Sequence, residues 1–573
     1  MKKQLLLIVA MLLPMVASAY DIAVENAEGI IIYYTYINNS TELQVTYKSY
    51  SASGRYGSNY TYTYYGYENV TDLVIPDEVT YMGRTRKVTS IGYNAFKDFR
   101  ALKSVTIPNS VTSIGTSFEG CTGLSSIVIG DNVKSIGTSA FKDCSALTSI
   151  NIPNSVTSIG SSAFYGCKGL KSVTLSNNIA YIDDFVFYGC ASLESIIIPD
   201  GVTGIGEKAF TNCSNITSII IPTKITTIGE SAFSGCISIE KIIVNDIAAW
   251  CGINFMNYAS NPLYDAKEKR LYYDEDSEII DLVIPNGVTS ISKYAFERCT
   301  GLKTLTIGSN VNSIGEEAFY LCSNLVSIII PNSVRTIENA AFNFTNNEGL
   351  PVKIISQIMD PQKISNNTFS TNVYNNASLF VPEGTIDKYK ACDGWRKFVF
   401  IEEGTGGETI PTIHKCATPT ISYRQGKLAF NCATDGATCQ YSITDTDIKS
   451  ESGDEVQLTA TYTISVYAKK VGCENSETAT ATLCWIDVEP KTEGITNGIA
   501  QVPAKVVLIQ TTGGTINVQG CDDGEQVGVY SINGSQIGTA VSQNGAATVN
   551  TTLKPGSVAI IKVGEKSIKV VAR

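Results

Sequence analysis

Apolar residues recur in one frame from about residue 67 to 370. A representative unit runs Pro153-Asn-Ser-Val156-Thr-Ser-Ile159-Gly160-Ser-Ser-Ala163-Phe164-Tyr-Gly-Cys167-Lys-Gly-Leu170-Lys-Ser-Val173-Thr-Leu175. The next unit reuses that frame at Ile179, Ile182, Phe187, Cys190, Leu193, Ile196 and Ile198. Phe118, Phe141, Phe164, Phe187, Phe210 and Phe233 fall 23 residues apart, and the series resumes at Phe296, Phe319 and Phe342. Cysteine follows three residues after all but the last: Cys121, Cys144, Cys167, Cys190, Cys213, Cys236, Cys299 and Cys322. A fixed period of this length predicts a solenoid, whose units are each too small to bury an apolar face alone. Leu-x-x-Ile-x-Ile ends with period two, so each unit carries a strand. Proline closes it (Pro108, Pro153, Pro199, Pro222, Pro285, Pro331), because proline cannot donate to a ladder. The glycine that follows the second apolar run (Gly160, Gly206) suits a turn with unusual dihedrals. One thiol per turn at one frame position predicts a buried ladder rather than disulfides or a metal site.

The flanks differ in pattern. Residues 20–66 are tyrosine-rich strands with a turn near Ser53-Gly54, expected to cap the raw first coil. Packing inside that cap is the expected role of Tyr60 to Tyr67, with carbohydrate contact as the alternative. The frame breaks at 245–282, where Ile247 to Gly252 reads as a short helix and Asp274-Glu-Asp276-Ser-Glu278 as the solvated turn of a hairpin rather than a calcium loop. Residues 371–403 close the solenoid, and 404–413 form a linker. Period-two runs over 414–487 and again over 500–573 predict two small β-sandwich domains. The fold class is therefore mostly β: a leucine-rich-repeat solenoid followed by two β domains. The five cysteines of 414–487 (Cys416, Cys432, Cys439, Cys473, Cys484) are an odd number, so at least one stays unpaired within that stretch and connectivity is open.

Composition narrows the function. The chain has 573 residues and a net charge of −11, which argues against a nucleic-acid partner. Lys2 and Lys3, an apolar run from Leu5 to Val16, and Ala17-Ser18-Ala19 read as a signal peptide over 1–19, cut before Tyr20. The expected location is extracellular or on the outer surface, with no later membrane span. The single histidine, His414, leaves no His-based triad or His-rich metal site. No catalytic residues, cofactor or metal are expected.

The Phe-x-x-Cys frame resembles the BspA-like leucine-rich repeats over residues 67–403. That resemblance implies a surface protein that adheres to host matrix proteins or other cells. Residues 414–487 resemble immunoglobulin-like or fibronectin-like modules. The order Val529-Tyr530 to Gly534, Pro555-Gly556 and Lys566 to Val571 resembles the sorting domain of type IX secretion substrates, which implies surface attachment.

Binding candidates sit where the unit varies. Strand side chains alternate, so the residue between the last two apolar positions points away from the core. That column reads Thr106, Val128, Asn151, Thr174, Ile197, Ile220, Ile243, Val283, Thr306, Ile329, and the outward position before it is mostly serine, including Ser195 and Ser218. A Ser/Thr face thus passes into an aliphatic stripe from Ile197 to Val283. Strand propensity explains such residues; a protein-binding stripe is the sharper reading. The candidate ligand residues are Thr174, Ser195, Ile197, Ser218, Ile220, Ile243 and Val283. The alternatives are a carbohydrate-binding or glycan-utilisation accessory protein, and an envelope spacer.

Overall fold

The computed structural model describes residues 16–53, 61–346, 352–407, 416–424, 427–445, 461–470, 475–486, 505–512, 514–531, 534–554, 557–564 and 566–571. The chain divides into two units, Met1–Pro411 and Thr412–Arg573.

The first unit is a solenoid of about 23 residues per turn. Each turn carries two short strands. The expected one pairs in parallel with its neighbours: Ser172–Thr174 lies beside Ser149–Asn151 and Ser195–Ile196, with Val173 opposite Ile150 and Ile196. The second, such as Ser135–Ile136 or Ser158–Ile159, forms a separate parallel ladder. Ladder phenylalanines stack turn on turn, with ring centroids 5.0–5.5 Å apart from Phe96 to Phe233. The stack resumes from Phe296 through Phe342 to Phe369. Main-chain bonds run between turns, as in Phe187 N to the Ala209 carbonyl at 2.8 Å. The core is one continuous column because every turn leaves an apolar face that only the next can cover.

The glycines after the second strand have a different reason from the expected one. Their φ is not positive. A Cβ on Gly160 would lie 2.6 Å from Thr138 N, and one on Gly229 2.5 Å from Glu207 N. The neighbouring turn's backbone comes too close for a side chain. One left-handed position is the residue before the ladder cysteine: Gly120, Asp143, Gly166, Gly189, Asn212 and Gly235 lie at φ 60–76°, and these are the types that tolerate it, whereas Arg298 and Leu321 adopt it before Cys299 and Cys322. A second lies two residues before the ladder phenylalanine, as at Ser139, Ser162 and Lys208.

Both ends and the break are built from the predicted segments. Ile22–Glu25, Ile31–Ile37 and Glu42–Thr46 form an antiparallel meander, and Glu42–Thr46 then pairs in parallel with Arg84–Ile91. Tyr67 is fully buried against Phe96, and its hydroxyl donates to the Thr46 carbonyl at 2.8 Å. Tyr64 packs on Tyr47, whereas Tyr60 lies outside the described residues. Residues 1–15 of the expected signal peptide also lie outside them. Val16–Ser18 pairs with Ser49–Ser53, an edge strand that cleavage before Tyr20 would remove.

In the break, helix Ile247–Cys251 is capped by Asp246, whose carboxylate accepts from Ala248 N and Ala249 N. The Ala295 carbonyl, which in regular turns meets a ladder phenylalanine's N–H, accepts from Trp250 Nε1 at 2.8 Å and Asn261 Nδ2 at 3.0 Å. Side-chain donors thus complete the ladder where the frame lapses. Asp274 accepts from the Asp276 and Ser277 amides, so this carboxylate serves its own turn.

The second unit holds antiparallel sheets. One runs in the order Thr438–Asp445, Thr461–Lys469, Ala479–Ile486, Lys505–Thr512, Thr515–Gln519, Ala546–Asn550; another in the order Gln536–Val541, Gln526–Ser531, Val558–Val563, Lys566–Val571. Ala479–Ile486 pairs directly with Lys505–Thr512, so strands expected in two domains share a sheet. The reason is core size: Ile421, Ile464, Val466 and Ala481 make a small cluster, completed by Leu508.

Candidate functional site

Alternation places the candidate column on the outer strand face. Val173, Ile196 and Ile219 point inward and are buried, whereas Thr174, Ser195 and Ile197 are exposed. Ile197 is 76% exposed and Ile220 37%; Ser218 and Val283 are half-buried. Ile243 departs from the expected stripe, being only 2% exposed. It is flanked by Ile220 on one strand and by Tyr272 of the inserted strand Leu271–Tyr272 on the other. The Lys241 ammonium lies 5.7 Å from the Tyr272 ring centroid and donates to the Glu275 carbonyl. The break at 245–282 thus folds beside the face and removes Ile243 from solvent. Ile329 and Ile355 are also buried. There, Lys353 lies over Phe380 at 5.5 Å and donates to the Gly406 carbonyl at 2.7 Å. What remains is a free aliphatic patch at Ile197 and Ile220, beside Thr174, Ser195 and Ser218, with the insertion on one side.

The ladder cysteines are fully buried thiols. Each of seven donates to the carbonyl of the preceding turn's phenylalanine: Cys144 Sγ to Phe118 at 3.1 Å, Cys167 to Phe141 at 3.0 Å, Cys190 to Phe164 at 3.2 Å. Cys121, Cys213, Cys236 and Cys322 do the same. Cysteine suits this position because it packs as a small hydrophobe yet still has a weak donor. Burial pushes the Cys121, Cys190, Cys236 and Cys299 thiols up to about 12. The thiolate is the reactive form, so the ladder should be inert when native. At pH 8, mass spectrometry should find the eight ladder cysteines unmodified by a maleimide before unfolding and fully modified after it. Labelling of the native ladder, or none after unfolding, would contradict the buried-thiol account. His414 and Cys473 lie outside the described residues, and only the backbone of Cys484 is described.

Two groupings escaped the sequence reading. The residue after each ladder phenylalanine forms its own column, and it is continuous: Lys97 to Glu119 at 2.5 Å, Glu119 to Lys142 at 3.2 Å, Lys142 over Tyr165 at 5.7 Å, Tyr165 on Tyr188 at 4.6 Å. Burial opposes the Glu119 charge, but the two ammonium groups outweigh it and hold the carboxyl below its usual range. Writing the repeat in columns would have exposed this ladder. Further along the column stands Glu297, 3% exposed, with Arg298 Nε 3.3 Å from Oε1. Its Oε2 has no hydrogen-bond partner among the described residues. Burial raises the carboxyl to about 7, against the pull of Arg298. Nearby Lys269 donates to the Leu263, Tyr264 and Ala266 carbonyls, and burial lowers its pKa.

A parallel solenoid with one phenylalanine and one cysteine rung per turn defines a leucine-rich-repeat protein. The sequence matches the BspA type leucine rich repeat region over residues 58–258 and 268–388, and the chain belongs to that family. No curated protein matches it. Solved structures similar to it include a leucine-rich repeat protein from Bacteroides ovatus, 24% identical over 67% of this chain and 100% of that one, with a TM-score of 0.41. A leucine rich cell surface protein from Faecalibacterium prausnitzii is 27% identical over 66% and 99%, with a TM-score of 0.35. The pneumococcal vaccine antigen PcpA is 16% identical over 68% and 100%, with a TM-score of 0.32. Among the described residues, no helix is long and apolar enough to cross a membrane.

Proposed function

We propose that this is an exported, surface-exposed, non-enzymatic binding protein that holds a protein ligand on the outer strand face around Ile197 and Ile220. The observation that carries the reading is the 76% exposure of Ile197 on a rigid sheet, where the equivalent Ile243 and Ile329 are covered by the chain itself. Large apolar side chains left exposed together mark interaction sites, and stacked repeats offer extended surfaces for them. Family membership supports an adhesive role, and the resemblance of residues 529–571 to a sorting domain supports surface attachment.

The test is binding of the full mature chain to immobilised collagen, laminin and fibronectin. Ile197→Asp together with Ile220→Asp should weaken the bound ligand's affinity about thirtyfold or more, the scale of losing an interface hot spot. Both residues point outward, so the melting temperature should stay put. Unchanged affinity, or binding to none of the three, would count against the proposal.

A further inference from the structure

Next to that patch, where the strands Ser149–Asn151 and Ser172–Thr174 end, the surface opens into a cleft of about 480 Å³. That is within the usual range for small-ligand sites, about 300–1,000 Å³. Its origin is legible in the repeat. From Pro108 to Pro199 the residue closing each strand alternates: Pro108, Gly130, Pro153, Ser176, Pro199. The Pro153 ring therefore stands between two turns that lack a ring, and space is left on its flanks.

The lining has a definite chemistry. The Asn154 Oδ1 accepts the Asn177 N–H at 2.9 Å. That bond commits the amide oxygen inward and leaves the Nδ2 donors facing out. Asn109 plays the same part for the Asp131 N–H at 2.8 Å. Asp131, Asn151, Thr174 and Asn177 line the cleft and are exposed. Their side-chain polar atoms take no partner among the described residues. Ile152, Pro153 and Leu175 supply apolar contact. Among the described residues no lysine or arginine lines the cleft, so an anion finds no counter-charge. A single carboxylate is too little for a hard divalent cation, which needs six or more oxygens. Amides, a hydroxyl and one carboxylate around a proline ring suit a ligand that both donates and accepts while presenting C–H faces.

We propose that this cleft binds a neutral carbohydrate, with Asp131 and the Asn151 and Asn154 amides on its hydroxyls and the Pro153 ring against its C–H face. The cleft adjoins the Ile197–Ile220 patch through Thr174, but the contacts proposed here involve neither isoleucine, so either proposal can fail alone.

The probe is native affinity electrophoresis of the full mature chain in gels containing soluble mannan, dextran, laminarin or xylan. At least one polysaccharide should retard the protein. Asp131→Ala with Asn151→Ala should weaken that retardation about tenfold or more, as expected for the loss of two or more hydrogen bonds, one of them to a charged group. Ile197→Asp should leave it unchanged. Retardation by none of the four, equal retardation of the double variant, or loss of it in Ile197→Asp would each overturn the proposal.

Discussion

Phe187→Ala should destabilise the solenoid by about 3–5 kcal/mol, the usual cost of an unfilled aromatic cavity. The ring is fully buried and stacks at 5.5 Å on both Phe164 and Phe210. Deleting it removes two aromatic contacts, each worth about 0.5–1.5 kcal/mol beyond burial. Its carbonyl accepts from Cys190 N within the turn and from Cys213 Sγ of the next, so the cavity opens beside an inter-turn bond. Neighbouring turns cannot collapse into the gap, because glycines such as Gly206 and Gly229 already hold the backbones at contact distance. Urea unfolding of parent and variant measures the loss. A change under about 1 kcal/mol would show that the stacked rings do not hold the turns together.

The second large effect is a pH dependence. Glu297 has a folded-state pKa of about 7, raised from 4.5 by burial, with Glu317 adding to the rise and Arg298 and Lys269 opposing it. Between these two values the folded chain holds a proton that the unfolded chain has released. Stability from this group is therefore fully present below about pH 4.5 and is lost as pH rises through 7. The full swing is about 3 kcal/mol. Glu297→Gln keeps the size and removes the titration, so the variant should lack this fall between about pH 4.5 and pH 7. Parallel stability curves for parent and variant across that window would contradict the assignment. So would a parent that gains stability relative to the variant as pH rises.

Much of this was legible because the repeat is a period. Phe118 to Phe342 and Cys121 to Cys322 recur at one spacing, and a recurring buried residue in a short unit has few roles besides core. The second strand of each turn was not legible, since Ser158–Ile159 is two residues long and cannot display an alternation. The role of Gly160 was misjudged because close approach of a neighbouring backbone leaves the same mark on a sequence as an unusual dihedral. Ile243 was placed on the right face with the wrong exposure. What flanks it comes from residues 270–278, and no local pattern reports where an insertion will dock. Glu297 carries no mark in the sequence, because burial at that position depends on the break packed beside it.

The claim with most at stake is that the free part of the face is the part that binds. A photoreactive benzoylphenylalanine at Ile197, compared with one at Tyr93, tests it directly. The two positions are similarly exposed, at 76% and 70%, but Tyr93 lies outside the strand column. Irradiated with the matrix protein that the parent binds, the probe at 197 should crosslink and the probe at 93 should not. Equal crosslinking from both, or from 93 alone, would contradict a ligand site at Ile197 and Ile220.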